Sequence, residues 1–532
     1  MKKLGPYLIE ALHAQGVRHV FGIPGVHNLE LYRGLANSPI RHVSGRHEQG
    51  LGFMADGYAR VSGKPGVCFT ITGPGLTNIA TAMGQAYGDS VPLLVISSNN
   101  RLREGNGCGF LHELPNQHAL ASGVAGESFV IRYPAELPVA LGRAFALFAS
   151  SRPRPVYIEI PLDVLAADAS GLPLPEPVTT QARPQPKLIE SAATKLRDAK
   201  RPLIIAGGGA IGAVTELRRI AERLDAPVVM TANARGLVPP GHPLAIPMSP
   251  MLAPIRALVA AADVVLAVGT EFGPTDYSID LKADFPNPSD LIRIDIDAGQ
   301  LHRGATPSVG LCADAKTALV ALETSDLGPK RNSYGAARAA AARNAGLEAI
   351  GKFNPSLREF VGVLELMRAA LPTAVMVGDS TQMVYAGNLG FNVDRPASWF
   401  NSATGYGTLG YALPASTGAG LAAPERPIVC LVGDGGLQFT LAEFATLRDV
   451  NAWTAVVIYN NHGYGEIRTS MLAVGIEPEG VDVRPPDFSY IARAYGYPHR
   501  RIGSRDELRT ALQEFGTRRQ VVVLEIVADE FT

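Results

Sequence analysis

Residues 433–461 read GDGGLQFTLAEFATLRDVNAWTAVVIYNN, an aspartate inside a glycine turn with an asparagine 461 − 434 = 27 residues later, directly after an apolar run. If LVGDGG ends a strand and opens a helix, its backbone N–H groups and the helix dipole form an anion site that glycines leave open to phosphate. Asp434 would then stand beside that phosphate, a repulsive placement unless a cation lies between them. Magnesium meets the need, because it takes six oxygens in near-octahedral geometry and is commonly shared between one or two protein groups and substrate phosphates. The amide oxygen of Asn461, at the end of a neighbouring parallel strand, is a second candidate ligand, and a carbonyl of the HGYG turn a third. Either motif alone also reads as a plain turn or strand exit; their separation is the signal.

The stretch has an echo. CFTITGPGLTNIATAMGQAYGDSVPLLVISSNN repeats the order strand, glycine turn, helix, strand, Asn-Asn, with 100 − 73 = 27 steps from Gly73 to Asn100 against 461 − 433 = 28 from Gly433 to Asn461. Pro74 stands where the later copy has Asp434. Proline offers no side-chain ligand, so at most one of the two units holds the cation.

The elements that must position these residues recur along the whole chain. At 532 residues the length suggests about three domains. Proline at 173, 175, 177, 184 and 186 disfavours helix and central strand and predicts an extended linker. A second shift of composition falls at ETSDLGPKRNSYG, and Asn354 or Ser356 is placed to cap a new amphipathic helix. The expected segments are 1–170, a linker over 171–187, 188–330 and 350–532. Each alternates short β-branched runs, such as VCFTIT, PLIIAGG and PIVCLVGD, with helical patterns, which predicts α/β domains with parallel sheets.

Bulk properties exclude several classes. Forty-eight basic against 49 acidic side chains give a formal charge of −1, with no footprint for nucleic acid or an anionic membrane. Cys68, Cys108, Cys312 and Cys430 lie far apart, without zinc-type or redox spacing, and read as reduced thiols of a cytoplasmic protein. Gly5, Pro6 and Glu10 interrupt any signal-peptide core; Leu4, Tyr7, Leu8, Ala11 and Leu12 instead share a helix face. No apolar run reaches the length of a membrane helix.

GDG followed by NN resembles the diphosphate signature of thiamine diphosphate enzymes, and RHEQGLGFMADGYAR resembles the catalytic-glutamate segment of their acetohydroxyacid synthase-like branch. FGIPG, GPGLTNIATA, GYGTLGYALPA and LIRIDID extend the resemblance over nearly the whole chain. It implies three doubly wound domains: a pyrimidine-binding domain, a Rossmann-like central domain and a diphosphate-binding domain. It further implies active sites between subunits of a homodimer or homotetramer, with thiamine diphosphate and magnesium as cofactors.

Carried over by residue, the resemblance gives Asp434, Asn461 and the Gly463 carbonyl to magnesium. Ser380, Thr381, Gly435, Gly436, Asn78 and Tyr464 join the cofactor site, Gly407 offers a carbonyl to the aminopyrimidine, and Leu409 bends the cofactor. Glu48 matches the glutamate that hydrogen-bonds the pyrimidine N1′, where a carboxyl shielded from water can share its proton. Taken alone, Glu48 reads as a solvated helix residue.

Such a cofactor typically acts on a 2-oxo acid. The chain departs from pyruvate decarboxylases, which have Asp after FGxPG and two adjacent histidines: here stand Val26 and a lone His112 in FLHELPNQ. His27, His112 and Gln117 are the replacement candidates for proton handling. GVHNLELYRGL, LHELPNQ and NNHGYGEIR are similar to the group acting on 5-guanidino-2-oxopentanoate, or 2-ketoarginine. Its guanidinium wants a carboxylate fork, for which Glu466 is the first candidate, with Glu113 and Asp482 in reserve. The expected reaction is non-oxidative decarboxylation to an aldehyde. Alternatives are an acetolactate synthase-like carboligase and, from Gly207, Gly209 and Gly212 in G-x-G-x-x-G, a flavin or nicotinamide oxidoreductase, although the strand ending TANARG lacks the acid that a nicotinamide site needs.

Overall fold

The computed structural model describes residues 1–104, 107–176, 182–277 and 288–532. Among the described residues three six-stranded sheets follow one another in sequence. The first comprises β1 (His19–Gly22), β2 (Arg41–Val43), β3 (Gly66–Thr70), β4 (Leu93–Asn99), β5 (Glu127–Val130) and β6 (Val156–Pro161). The second comprises β7 (Leu203–Ala206), β8 (Val228–Met230), β9 (Ala245–Ile246), β10 (Val265–Val268), β11 (Leu291–Asp295) and β12 (Val309–Cys312). The third comprises β13 (Val375–Gly378), β14 (Trp399–Asn401), β15 (Ile428–Gly433), β16 (Thr454–Asn460), β17 (His499–Ile502) and β18 (Val522–Val527). The sheets are parallel, as in the register Phe21↔Cys68 between β1 and β3 and Val432↔Ile458 between β15 and β16. Their central strands are buried on both faces, which is why these segments read as unbroken apolar runs.

The orders β2-β1-β3-β4-β6-β5 and β14-β13-β15-β16-β18-β17 are the same when each set is numbered from its own first strand. The echo is therefore one of topology as well as sequence, and β3–β4 occupies the place of β15–β16. The copies differ between the strands. Pro74–Asp89 is one continuous helix, whereas the later copy is broken into Asp434–Leu437, a 3₁₀ run Gln438–Glu443 and Phe444–Val450. The break falls at Thr440 (φ −133°, ψ 26°), whose hydroxyl donates to the Gly410 carbonyl at 2.7 Å instead of serving the helix.

Other expectations resolve locally. The helix Leu4–Ala14 buries Leu4, Tyr7, Leu8, Ala11 and Leu12 against the first sheet's core. Asn354 caps the helix Pro355–Ala370 by accepting from the Ser356 N–H at 3.0 Å. Pro186, expected in the linker, instead opens the helix Pro186–Asp198, because a first-turn N–H is unpaired anyway and proline presets φ. Linker residues 177–181 lie outside the described residues.

By chain contacts the protein divides into two compact units, one of Met1–Thr180, Gly405–Arg501 and Arg518–Ile526, the other of Gln181–Thr404, Ile502–Thr517 and Val527–Thr532. Within the first, the helix Glu48–Ser62 lies against Ala412–Ala422 with backbones in contact. A Cβ on Gly57 would stand 2.1 Å from the Ala415 carbonyl oxygen, and one on Gly418 would stand 1.8 Å from that of Met54. Beside this seam Arg60 binds Asp56 and Asp89, each at 2.7 Å, while Tyr411 donates to Asp56. Gln85 donates to Asp89 at 2.8 Å and accepts from the Thr408 hydroxyl at 2.9 Å. The GYGTLG loop is thereby tied to the helix Pro74–Asp89. None of the four cysteines is in a disulfide, and among the described residues no helix is long and apolar enough to cross a membrane.

Candidate active site

Asp434 follows directly on β15, and Asn461 follows β16. Asp434 is 1% exposed, and its Oδ2 is buried without a hydrogen-bond partner. Burial raises the carboxyl above its ordinary range, against the opposing pull of nearby backbone N–H groups. The side-chain NH2 of Asn461 donates to Asp434 Oδ1 at 3.1 Å and to the Gly463 carbonyl at 2.9 Å. Turned over, the same amide would bring its oxygen beside the Asp434 carboxylate and the Gly463 carbonyl, giving a cation three oxygens. An orphaned carboxylate oxygen beside an amide and a carbonyl oxygen fits the donor set magnesium prefers. Among the described residues no cluster of three or more His, Cys, Asp or Glu offers a different metal site.

Gly435 and Gly436 are buried in the turn that follows. The ring of Tyr464 lies against Gly435, where a Cβ would meet it at 2.7 Å, and the Tyr464 N–H donates to Val481 at 3.0 Å. The segment after Glu466 folds back along its helix, with Arg468 paired to Asp482.

Glu48 opens the helix Glu48–Ser62 and is 9% exposed. Its Oε2 accepts from Asn78 Nδ2 at 2.9 Å, joining two sequence candidates from neighbouring helices. The histidines also meet: the rings of His27 and His112 stand edge to face with centroids 4.8 Å apart, and both Nδ1 atoms are buried without partners. Burial and the adjacent His112 lower the His27 pKa from 6.5. His112 has φ +62°, and its carbonyl presses on Gly73, itself at φ +67°, where a Cβ would approach to 2.3 Å.

Gln117 is 2% exposed and fully engaged. Its Oε1 accepts from the Gly73 N–H at 2.7 Å, and its Nε2 donates to the Ser98 carbonyl at 2.9 Å and to Tyr157 at 3.0 Å. It fixes the turn on which His112 rests. Glu113 is committed to its own loop, accepting from the N–H groups of Gly107, Gly109 and Phe110. Glu466 is exposed in the first turn of Gly465–Ala473. Gly407 is exposed at φ +76° and Leu409 is half-buried, two residues along the loop that Gln85 holds. Ser380 and Thr381 lie in the other unit, in the turn between β13 and the helix Gln382–Gly390.

In the central sheet, Gly207 and Gly209 are explained by packing. A Cβ on either would stand 2.2 or 2.9 Å from the backbone of Gly269, which ends the adjacent strand.

The sequence matches the N-terminal TPP binding domain of thiamine pyrophosphate enzymes over residues 2–120, their central domain over 189–322 and their C-terminal TPP binding domain over 377–526. The chain belongs to the thiamine pyrophosphate enzymes, whose cofactor is thiamine diphosphate with magnesium as the usual partner metal. It is 46% identical over 529 residues, 98% of this chain and 93% of the relative, to the probable 2-ketoarginine decarboxylase AruI of Pseudomonas aeruginosa. It is 32% identical to the acetolactate synthase isozyme 1 large subunit of Escherichia coli, over 86% of this chain and 82% of that protein. To the probable acetolactate synthase large subunit of Methanocaldococcus jannaschii it is 30% identical, over 98% and 91%.

Proposed function

We propose that this chain decarboxylates a 2-oxo acid with a long guanidino side chain, of the 2-ketoarginine kind, to carbon dioxide and the aldehyde one carbon shorter. The observation that carries this reading is 46% identity over 98% of the chain to a relative named for that activity, against 32% and 30% for two acetolactate synthases. In the reaction the C1–C2 bond breaks, carbon dioxide leaves, the electron pair stays at C2, and C2 then takes a proton. When bound, thiamine diphosphate supplies the nucleophilic carbon and the electron sink for that cleavage.

The protein's part is to bind, orient and move protons. Asp434, Asn461 and the Gly463 carbonyl would hold magnesium, with Gly435 and Gly436 offering backbone to the diphosphate. Glu48, steadied by Asn78, would share a proton with the pyrimidine N1′. His27 and His112, neighbouring rings with two buried and unpartnered Nδ1 atoms, would handle the proton that C2 receives. Gln117 would hold their turn in place, and Glu466 would receive the guanidinium.

The working form is a homodimer or homotetramer in which Glu48 of one subunit serves the cofactor bound at Asp434 of another. Four cysteines outside any disulfide suit a reducing, cytoplasmic setting. The acetolactate synthase relatives support a carboligase as the second reading. Incubation with thiamine diphosphate, magnesium and a panel of 2-oxo acids, scoring carbon dioxide, aldehyde and acetolactate, separates the two. Carbon dioxide and aldehyde from the guanidino acid are expected; acetolactate from pyruvate as the main product would overturn the proposal.

A further inference from the structure

Glu443 is 0% exposed and belongs to none of the groups assigned to the cofactor. It closes the short helical stretch that Asp434 opens, three residues past the break at Thr440. Its Oε1 accepts from the backbone N–H groups of Arg46 and of His47, each at 3.0 Å, and its Oε2 accepts from the Thr446 hydroxyl at 2.5 Å. Those amides belong to the two residues immediately before Glu48. Gly50 completes the fit, since a Cβ there would stand 2.4 Å from Glu443 Oε1. A carboxylate in this place also suits the positive end of the helix Glu48–Ser62.

A buried carboxylate is costly unless its partners repay the desolvation, and burial does raise the Glu443 carboxyl above its ordinary range. An apolar side chain would serve packing at lower cost. What a carboxylate adds is direction: two amides on one oxygen fix the path by which the chain reaches Glu48. One end of the stretch 434–443 faces the metal proposed for this subunit's diphosphate site, and the other grips the residues before the glutamate proposed to serve the cofactor of the neighbouring site.

We propose that Glu443 is a positioning residue for Glu48 of its own chain. The proposal rests on the reading that Glu48 shares its proton with the cofactor. Glu443→Ala should expose the Arg46 and His47 amides to faster hydrogen–deuterium exchange in the cofactor-free protein. It should slow proton exchange at C2 of bound thiamine diphosphate, and lower kcat by about 10- to 100-fold with little change in KM, the range expected for a small misplacement of a reacting group. Glu443→Gln keeps an acceptor oxygen and should recover most of both. Asp449→Ala, which removes the nearby Arg46–Asp449 ion pair while leaving Glu443 in place, should stay within about twofold of the parent kcat.

If Glu443→Ala frees the amides while C2 exchange and kcat remain at the parent level, or if Asp449→Ala costs as much, Glu443 is only a structural cap and the proposal fails. Should Glu443→Ala not fold, Gly50→Ala displaces the same carboxylate. It should then slow C2 exchange and lower kcat to the extent expected of Glu443→Ala, and parent-level values of both overturn the idea. C2 exchange needs no 2-oxo acid. A slowed exchange in an enzyme inactive on guanidino acids would therefore keep the positioning role and reject the substrate.

Discussion

Asn461, just past β16, reaches the carboxylate just past β15, its side-chain amide 3.1 Å from Asp434 Oδ1. Together with the orphaned Oδ2, this contact makes metal binding testable by stability alone. Magnesium with thiamine diphosphate at about 100 times the dissociation constant should stabilise the fold by about 2.7 kcal/mol, seen as a raised melting temperature. EDTA should abolish the shift in the parent protein, and Asp434→Ala should not show it. A ligand shift that survives Asp434→Ala would remove this residue from the metal site.

The paired histidines predict a pH profile. Burial and His112 disfavour the imidazolium of His27, so the folded-state pKa lies below 6.5. The ring stays neutral as pH falls through 6.5 and protonates only further down; stability drawn from its neutral form is full above 6.5 and declines below it. A kcat limb that reports His27 should therefore fall below pH 6.5, and His112→Ala, by removing one cause, should move it upward. Rates measured between pH 5 and 8 decide this, and an unmoved limb would assign it to another group.

Arg60 sits between two buried carboxylates, those of Asp56 and Asp89, at 2.7 Å from each. Arg60→Leu leaves both without their cation and should cost about 3–5 kcal/mol in urea unfolding. A cost under about 1 kcal/mol would show that the carboxylates are protonated or solvated in the folded protein.

Glu466 predicts a change in selectivity. Losing a hydrogen bond to a charged group costs about 1.5–3 kcal/mol, or roughly 10- to 100-fold in affinity. Glu466→Ala should raise KM by that factor for a guanidino 2-oxo acid and by less than about twofold for an uncharged one of similar length. Equal weakening of every substrate would reject the role.

Much of this was legible before any coordinate. Glycine turns at Gly73 and Gly433, each between two apolar runs, disclose the repeated unit because strand, turn and helix all leave local marks. Asp434 and Asn461 were singled out by spacing, and the helix cap was narrowed to Asn354 or Ser356, of which the structure uses Asn354. Long-range bonds left no such mark. Nothing in the sequence announces the break at Thr440, whose hydroxyl bonds the Gly410 carbonyl, and Glu443 was not singled out. Gln117 was singled out by type, whereas its bonds to Gly73, Ser98 and Tyr157 show an amide with little left to offer a substrate. Glu113 and Asp482 were likewise reasonable by charge, but they are occupied by loop amides and by Arg468.

The backbone contact at Gly57 and Gly418 bears on how this protein can be recombined. Each glycine meets the main chain of the other helix, so neither surface can be recut by side-chain changes alone. A chimaera that borrows its N-terminal segment from one relative and its C-terminal segment from another inherits two halves of a single lock. Crossovers that move the helices Glu48–Ser62 and Ala412–Ala422 together should give folded hybrids, and crossovers that part them should not.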